Sequence, residues 1–504
     1  MSRIIYIIPL LLCLSCSVSR MTKIQPQKEF RGVWIATVVN IDWPKNANDN
    51  SEKQKRDFIE ILDFYQKLNF NAAIVQIRTA GDAFYETEQA PWSKYLTGQE
   101  GEAPKDFSKP LEWMIVETHK RGMEFHAWLN PYRATFDLDT VALSKKHDFY
   151  QHPDWMLKYG KKYYYNPGLP EVQQKLTNVI EEVVVNYDVD AIHFDDYFYP
   201  YKIKDEVFKD SMAFQTYGLQ NQNIEDWRRS NVDSLVKNVH KAIKKSKPWV
   251  QFGISPFGVW KNKSTDPNGS DTKAGQTTYE DLYADPLLWV EKGWLDYLVP
   301  QVYWSMDFPL ASHKIITEWW ANTTKNTNLY IGNGTYKIKN NQDKAWNKKK
   351  EIPKQLLLAR SQKEITGNVF FSAKSLLGKN ENVTKILKRK FYKLPAQNPS
   401  GITKTKREVS FPKVESIQII KNANMDICVS HSDSIPRFLH YYALNKKTPG
   451  QKLLIRKSYL SVSQNSICNQ LQLTKKQSKN GIGVTIVDAY GNESEVQILT
   501  LESN

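Results

Sequence analysis

The stretch richest in chemistry spans residues 190–200, D-A-I-H-F-D-D-Y-F-Y-P. A short apolar-rich run, Ala191 to Phe194, ends in two adjacent carboxylates, Asp195 and Asp196, and three aromatics follow before Pro200. Paired carboxyl groups act on glycosidic bonds because one holds a proton while the other stays charged. In one cavity the two repel, one pKa rises, and a protonated acid stands beside a carboxylate. Aromatic neighbours suit the same chemistry, since sugar rings present apolar faces that stack on π surfaces. The competing reading is structural: Asp-Asp after a strand also makes a turn with a helix cap. The elements around the pair decide between the two.

From residue 29 onward, strand-like runs alternate with helix-like ones. Strands are expected at 31–39, 71–78, 123–130, 190–194, 250–256, 297–304, 329–334 and 368–373. Helices are expected at 52–68, 108–121, 170–186, 225–245, 312–322, 351–365 and 382–390, with another starting at the Asp285–Pro286 cap. In the first of them Phe58, Ile61, Leu62, Tyr65 and Leu68 recur with helical spacing. Eight such units over roughly 360 residues count to an α/β fold, a TIM-type (β/α)8 barrel over residues 29–394. Its chemistry would sit at the carboxyl ends of the strands.

Side-chain parity then sorts candidates. Glu124, His126, Trp128 and Asn130 alternate with Phe125, Ala127 and Leu129. His193 and Asp195 oppose Ile192 and Phe194, Gln76 and Arg78 oppose Val75 and Ile77, and Gln301 and Tyr303 oppose Val302. A period of two fits a polar lumen inside an outer face packed on helices. Glu124 and Gln76, deep in the strands, read as a hydrogen-bonded lumen network. Arg78, Trp128, Asn130 and Asp195 lie nearer strand ends and point toward the catalytic face.

Composition bounds the partners. A hydrophobic fraction of 41% and a charged fraction of 24% are those of a globular protein, and 15 Trp with 26 Tyr suit sugar-stacking surfaces. The formal net charge is +15, carried partly by runs such as Lys348–Lys350. A basic surface fits an anionic polymer or acidic phospholipid, and no nucleic-acid-binding motif appears. No Cys/His cluster has zinc-ligand spacing, so neither a metal nor a cofactor is expected. Residues 1–16 read as a lipoprotein signal: Arg3, an apolar core Ile4–Leu12, then C-L-S-C ending at Cys16. Cys16 would carry the lipid anchor, with a plain cleavable signal peptide as the alternative. Residues 17–28 read as a tether, which places the mature protein at the periplasmic side of a membrane in the cell envelope.

Residues 395–409 have the composition of a linker. Beyond them, S-I-Q-I-I, D-I-C-V-S, F-L-H-Y-Y-A-L and G-V-T-I-V-D-A-Y-G-N are short strand candidates, which suggests a small fibronectin-III-like or immunoglobulin-like β-sandwich over 410–504. Cys428 and Cys468 fall inside it and could pair in an oxidising compartment, or stand as separate buried thiols.

Six ordered motifs give the chain a family resemblance: E-F-R-G-V-W at 29–34, A-G-D-A-F-Y at 80–85, W-L-N-P-Y-R at 128–133, H-F-D-D-Y at 193–197, S-P-F-G-V-W at 255–260 and D-Y-L-V-P-Q-V-Y-W at 296–304. Together these resemble the glycosyl-hydrolase-like family 10 of bacterial envelope barrels. The resemblance implies a glycoside hydrolase acting on cell-wall glycan, with peptide-stripped peptidoglycan strands as the favoured substrate. Alternatives are a glycan-binding envelope lipoprotein without turnover and a hydrolase of another polysaccharide.

On this reading Asp195 and Asp196 are catalytic, with Asp42, Asp82 and Asp307 as other candidates for the second acid. Trp34, Trp128, Tyr197, Tyr303 and Trp304 line the groove, although Trp34 and Trp128 could equally plug the barrel top. Asn130, His193 and Gln301 contact substrate, and Arg78 or Arg133 takes a sugar-acid carboxylate. Y-I-G-N-G-T at 330–335 lacks the Glu that many barrel glycosidases place after strand seven, and strand four lacks the acidic array of substrate-assisted chitinases.

Overall fold

Eight short parallel strands, each apolar toward its helix, are buried on both faces once helices cover the outside. In the computed structural model they close into one barrel. It describes residues 25–499 apart from 403–404, 406, 421–423, 445–451, 462–465 and 475–480. The expected signal segment, the lipidation site Cys16 and most of the tether lie outside the described residues.

The barrel strands are β1 (Phe30–Ile35), β2 (Ala72–Arg78), β3 (Glu124–Leu129), β4 (Ala191–Phe194), β5 (Gln251–Ile254), β6 (Tyr297–Leu298), β7 (Asn328–Asn333) and β8 (Ile365–Phe370). β8 pairs with β1 to close the ring. The intervening helices are α1 (Ser51–Lys67), α2 (Pro110–Lys120), α3 (Pro170–Asn186), α4 (Ile224–Ser246), α5 (Pro286–Glu291), α6 (His313–Thr323), α7 (Glu351–Ser361) and α8 (Glu381–Ile386). Their starts follow local rules. Asn50 caps α1 by accepting from Lys53 N at 2.9 Å, and Asn223 caps α4 from Asp226 N at 2.8 Å. Each such cap is worth about 1 kcal/mol. Asp285 caps α5, with Pro286 in the first turn.

Three strands differ most from expectation. β1 ends at Ile35, short of the expected 39, and Val38–Asn40 form a 3-10 turn instead. β6 stops at Leu298, because Pro300 has no N–H for a ladder. Beyond it only isolated bridges at Gln301, to Phe257 on one side and Gly332 on the other, continue the pairing. β8 begins at Ile365, ahead of the expected 368, and the helix expected over 351–365 ends at Ser361.

At the amino-terminal end of the barrel, residues 395–400 form a packed strap. Gln397 bridges to Lys28, Ala396 is buried, and Asn398 Nδ2 donates to Asn71 O at 3.1 Å. Two antiparallel sheets follow: β9 (Lys413–Ile420), β10 (Asn424–Ser430) and β13 (Ser466–Gln472) in one, β12 (Lys452–Tyr459), β11 (Pro436–Leu444), β14 (Ile482–Asp488) and β15 (Gln497–Leu499) in the other. They share an apolar core that includes Ile427, Leu439, Tyr441 and Ile486. Cys428 and Cys468 stand opposite each other on β10 and β13 and are joined in a disulfide. The sheets are bolted to the barrel floor by Arg437, whose guanidinium meets Asp190 at 2.7 Å and Asp188 at 2.7 Å. Burial alone would raise the Asp190 pKa, but Arg437 and His119 outweigh it and hold the carboxyl well below its usual range. This end of the barrel is structural.

Candidate active site

The site begins as a stack of polar side chains in the lumen. Trp34 Nε1 donates to His193 Nε2 at 3.2 Å, so that nitrogen accepts and the ring proton belongs on Nδ1. Nδ1–H then faces the Tyr297 hydroxyl at 3.1 Å, and that hydroxyl donates to His126 Nδ1 at 2.8 Å. His126 Nε2–H is left for Glu124 at 3.1 Å. Burial, and then the neighbouring His126, hold the His193 pKa well below the imidazole range, so the ring stays neutral. Gly253 on β5 makes room for this chain. A Cβ there would lie 2.0 Å from Tyr297 Cζ.

One layer higher, an amide relay fixes the first acid. Gln76 Oε1 accepts from Thr37 N at 3.1 Å and Val38 N at 3.0 Å, which sets the orientation of its amide. Its Nε2 therefore donates to Asn130 Oδ1, and Asn130 Nδ2 donates to Asp195 Oδ2. Tyr197 N donates to the other oxygen at 3.2 Å. Asp196, where the strand has ended, turns into the same cleft and accepts from the Tyr201 hydroxyl. The Gln301 amide, which donates to Ser255 O at 2.9 Å, lies beside Asp196 and favours its charged form.

The two acids are only 5% and 2% exposed, yet both line an open cleft of about 360 Å³. Its walls come from the loops after β1, β3, β4, β6, β7 and β8, which is the carboxyl-terminal mouth of the barrel. Trp34, Trp128, Tyr197, Tyr201, Tyr303, Tyr336 and Phe371 supply aromatic surface there. Trp128 Nε1 is buried without a partner, a donor available to a sugar oxygen.

Electrostatics follow from this enclosure. Burial, then the charge of Asp196, push the Asp195 carboxyl up to about 7, against the pull of Arg133 and its hydrogen bonds. Burial raises Asp196 as well, opposed by the Tyr201 and Gln301 side chains. Asp195 therefore keeps its proton up to about pH 7, far above an ordinary aspartate, with the Asp196 carboxyl beside it. That arrangement can donate a proton to a leaving oxygen while keeping a negative charge beside it.

The cleft thus brings together Trp34, Trp128, Arg133, Asp195, Asp196, Tyr197, Gln301 and Tyr303 from the residues expected. Asn130 and His193 stand behind this wall as supports. Five other candidate residues are not brought into the cleft. Arg78 does not reach the site: the β2–β3 register skips a residue between Gln76 and Arg78, so Arg78 pairs with Leu129. The bulge turns it off the lumen face, where it meets Asp82 O at 3.2 Å and Tyr165 Oη at 3.5 Å. Asp82 folds its own loop, accepting from Thr79 N and Ala80 N. Asp42 clamps the β1 and β8 loops, accepting from Ala36 N, Ser372 Oγ and Lys374 N at 2.8 Å each. Trp304 packs half-buried on Phe257, and Asp307 is exposed away from the cleft. Gln76, read as fold support, both supports Asn130 and lines the cleft. Tyr201, Lys162 and Phe136 went unread. The sequence signal for Tyr201 is its place just past Pro200, close enough to fold back on Asp196.

A model of the family described as glycosyl hydrolase-like 10 matches residues 29–348. The chain belongs to that family. It is 42% identical over 487 residues to "Glycosyl hydrolase YngK" of Bacillus subtilis (strain 168), covering 95% of this chain and 94% of that one. It is 37% identical over 370 residues to "Glycosyl hydrolase DigH" of Escherichia coli (strain K12), covering 69% of this chain and 83% of that one. Among solved structures, the glycoside hydrolase domain of PgaB (BpsB) from Bordetella bronchiseptica aligns at a TM-score of 0.47 with 10% identity, over 73% of this chain and 99% of that domain. As a family member the protein is a glycosidase. Among the described residues, no group of three or more His, Cys, Asp or Glu could hold a metal ion.

A carboxyl whose pKa is raised by folding costs stability as it ionises. With a folded value near 7 and an unfolded value near 3.9, Asp195 contributes stability that is complete below about pH 4 and lost as pH rises through 7. Asp195→Asn is therefore expected to be more stable than the wild type at pH 8, on the order of 2–4 kcal/mol, with the gap closing near pH 4. Thermal melts of both proteins across that range check this, and a gap of the opposite sign at pH 8 would refute it.

Proposed function

We propose that the protein hydrolyses glycosidic bonds in a bacterial cell-wall glycan, peptidoglycan strands freed of stem peptides, using Asp195 as proton donor and Asp196 as its charged partner. The observation that carries this reading is the pair of buried carboxyl groups facing one aromatic-walled cleft, with Asp195 pushed up to about 7. A glycan strand laid across the mouth stacks sugar faces on Tyr197, Tyr303 and Trp34. Asp195, held by Asn130 and Tyr197 N, delivers its proton to the glycosidic oxygen as that bond lengthens. Positive charge then develops on the sugar ring, beside Asp196. Tyr201 favours the charged form of Asp196 by donating to it, which distinguishes it from Asp195. The relatives' names, both glycosyl hydrolases, support the reaction class.

Incubating the protein with amidase-treated glycan and assaying new reducing ends tests the reading. The wild type is expected to release them, with a rate that falls as pH rises through about 7 and the shared proton is lost. Asp195→Asn and Asp196→Asn are each expected to lower the rate by roughly 10²–10⁴-fold. An unchanged rate in either variant would remove that residue from the reaction, and a wild type inert on all N-acetylated glycans would leave a binding protein.

The reading includes a place for the enzyme, at the periplasmic side of a membrane through a lipid on Cys16. The motivation is the C-L-S-C stretch after an apolar run. Cys16→Ser is expected to move the protein from the membrane fraction to the soluble one. Persistence in the membrane fraction would contradict the anchor.

A further inference from the structure

The floor of the barrel carries a charged face that the hydrolysis does not use. α8 is followed by one further turn, Leu387–Phe391, in which Leu387 and Phe391 are both buried. Burying that pair turns the residues between them outward, so Lys388, Arg389 and Lys390 are exposed, as is Lys393 beyond them. Among the described residues no carboxylate pairs with any of these cations, whereas Lys385, earlier on the same helix, is paired with Glu381 at 2.8 Å.

The patch adjoins a groove of about 250 Å³ whose lining includes Lys28, Glu29, Arg360 and Lys363. The Glu29 charge is already spent, since its oxygens meet Arg31 Nε at 2.7 Å and Arg360 Nε at 2.7 Å. Arg360 Nη2 donates to Phe391 O at 2.8 Å, which ties groove to patch, while its Nη1 is buried with no partner. A buried donor without an acceptor is costly until a ligand supplies one. Cations at the carboxyl end of a helix also serve to meet its dipole. That accounts for Lys388–Lys390 but not for Lys393, Lys28 or Lys363, which lie outside α8.

The path of the chain decides what this face meets. The first described residue sits on the patch: Gln25 Nε2 donates to Lys390 O at 2.9 Å, and its Oε1 accepts from Lys393 N at 3.1 Å. Residues 16 to 25 span at most about 32 Å of chain. A lipid on Cys16 therefore keeps the floor, and not the mouth, within that distance of a bilayer. Exposed charges act over only about 8 Å in physiological salt, so these cations count only where the face settles on the headgroups.

We propose that Lys388, Arg389, Lys390 and Lys393, with the Arg360 groove beside them, form a docking face for the phosphate headgroups of anionic phospholipid, which seats the barrel floor on the membrane and turns the catalytic mouth away from it. The proposal rests on the lipid-anchor reading for where the membrane lies and is independent of the hydrolysis. Attachment through a lipid makes each headgroup contact intramolecular, so weak contacts suffice to fix the orientation.

Vesicle binding tests the face without the lipid. The Cys16→Ser protein is sedimented with vesicles of phosphatidylcholine alone or of phosphatidylcholine and phosphatidylglycerol at about three to one. It is expected to bind the anionic vesicles at least about tenfold more tightly, with the difference collapsing at high salt. Adding Lys388→Gln, Arg389→Gln and Lys390→Gln together is expected to lower that binding by about fivefold or more. Lys348→Gln, Lys349→Gln and Lys350→Gln remove the same charge from the loop that brings Tyr336 to the mouth, and are expected to leave it within about twofold. Equal losses in the two triple variants, or equal binding to both kinds of vesicle, overturn the face. So does loss of sedimentation with purified peptidoglycan in the floor variant while vesicle binding is intact, since the cations would then serve glycan. Orientation is read on the lipidated protein, with a fluorophore at Lys390→Cys or at Lys349→Cys and spin-labelled headgroups as quencher. Stronger quenching at position 390 is expected, and equal or reversed quenching overturns the orientation. If the Cys16→Ser protein stays in the membrane fraction of cells, the anchor reading fails, while the comparison of the two triple variants still decides the docking face.

Discussion

Two carboxyl groups on consecutive residues cannot both ionise cheaply once water is taken from around them. Everything near the mouth of this barrel follows from that constraint. Asp195 and Asp196 are buried to 5% and 2% exposure, and the repulsion between them adds to the cost of desolvation. The pair keeps a proton at a pH where isolated aspartates have lost theirs. Arg133 keeps the opposite limit from being reached, since its charge draws both pKa values down. For Asp196 the Tyr201 and Gln301 side chains oppose burial more strongly than Arg133 does.

Holding such a pair requires a scaffold that does not relax around it. The lumen supplies one made of buried hydrogen bonds from Trp34 through His193, Tyr297 and His126 to Glu124. A charged histidine at 193 would add a second proton store directly beneath Asp195, and burial prevents it. The relay from Thr37 N through Gln76 and Asn130 is likewise built from amides whose orientation is fixed at the backbone end. The floor of the barrel is separate in kind. There Arg437 and Asp190 make a buried ion pair to the C-terminal sheets, with the exposed Asp188 at its edge, remote from the cleft.

Much of this was legible in the sequence because a barrel strand has a strict period of two. Parity alone put His193 and Asp195 inside and Ile192 and Phe194 outside. It failed at Arg78, where one bulged residue reverses the face and no residue type announces the bulge. It also failed for acids in loops. Asp42 and Asp82 have the composition of catalytic groups but spend their oxygens on backbone N–H groups, a use that only loop geometry reveals. Tyr201 and Lys162 were invisible for the opposite reason, since each reaches the site from a loop or hairpin with no periodicity. In the C-terminal sheets, the strands Lys452–Tyr459 and Ser466–Gln472 were overlooked because polar residues fill their outer faces.

The central claim is that Asp195 and Asp196 share one proton near neutral pH. It can be observed directly by carbon-13 NMR of protein labelled at the aspartate side-chain carboxyl carbon, titrated from pH 3 to pH 9, with Asp195→Asn and Asp196→Asn spectra to assign the signals. The account predicts that the two resonances move together and that the last proton leaves the pair close to pH 7. In Asp195→Asn, the remaining Asp196 signal is predicted to complete its titration at lower pH than the pair does. Two independent transitions, both finished below about pH 5 as for ordinary aspartates, would contradict it.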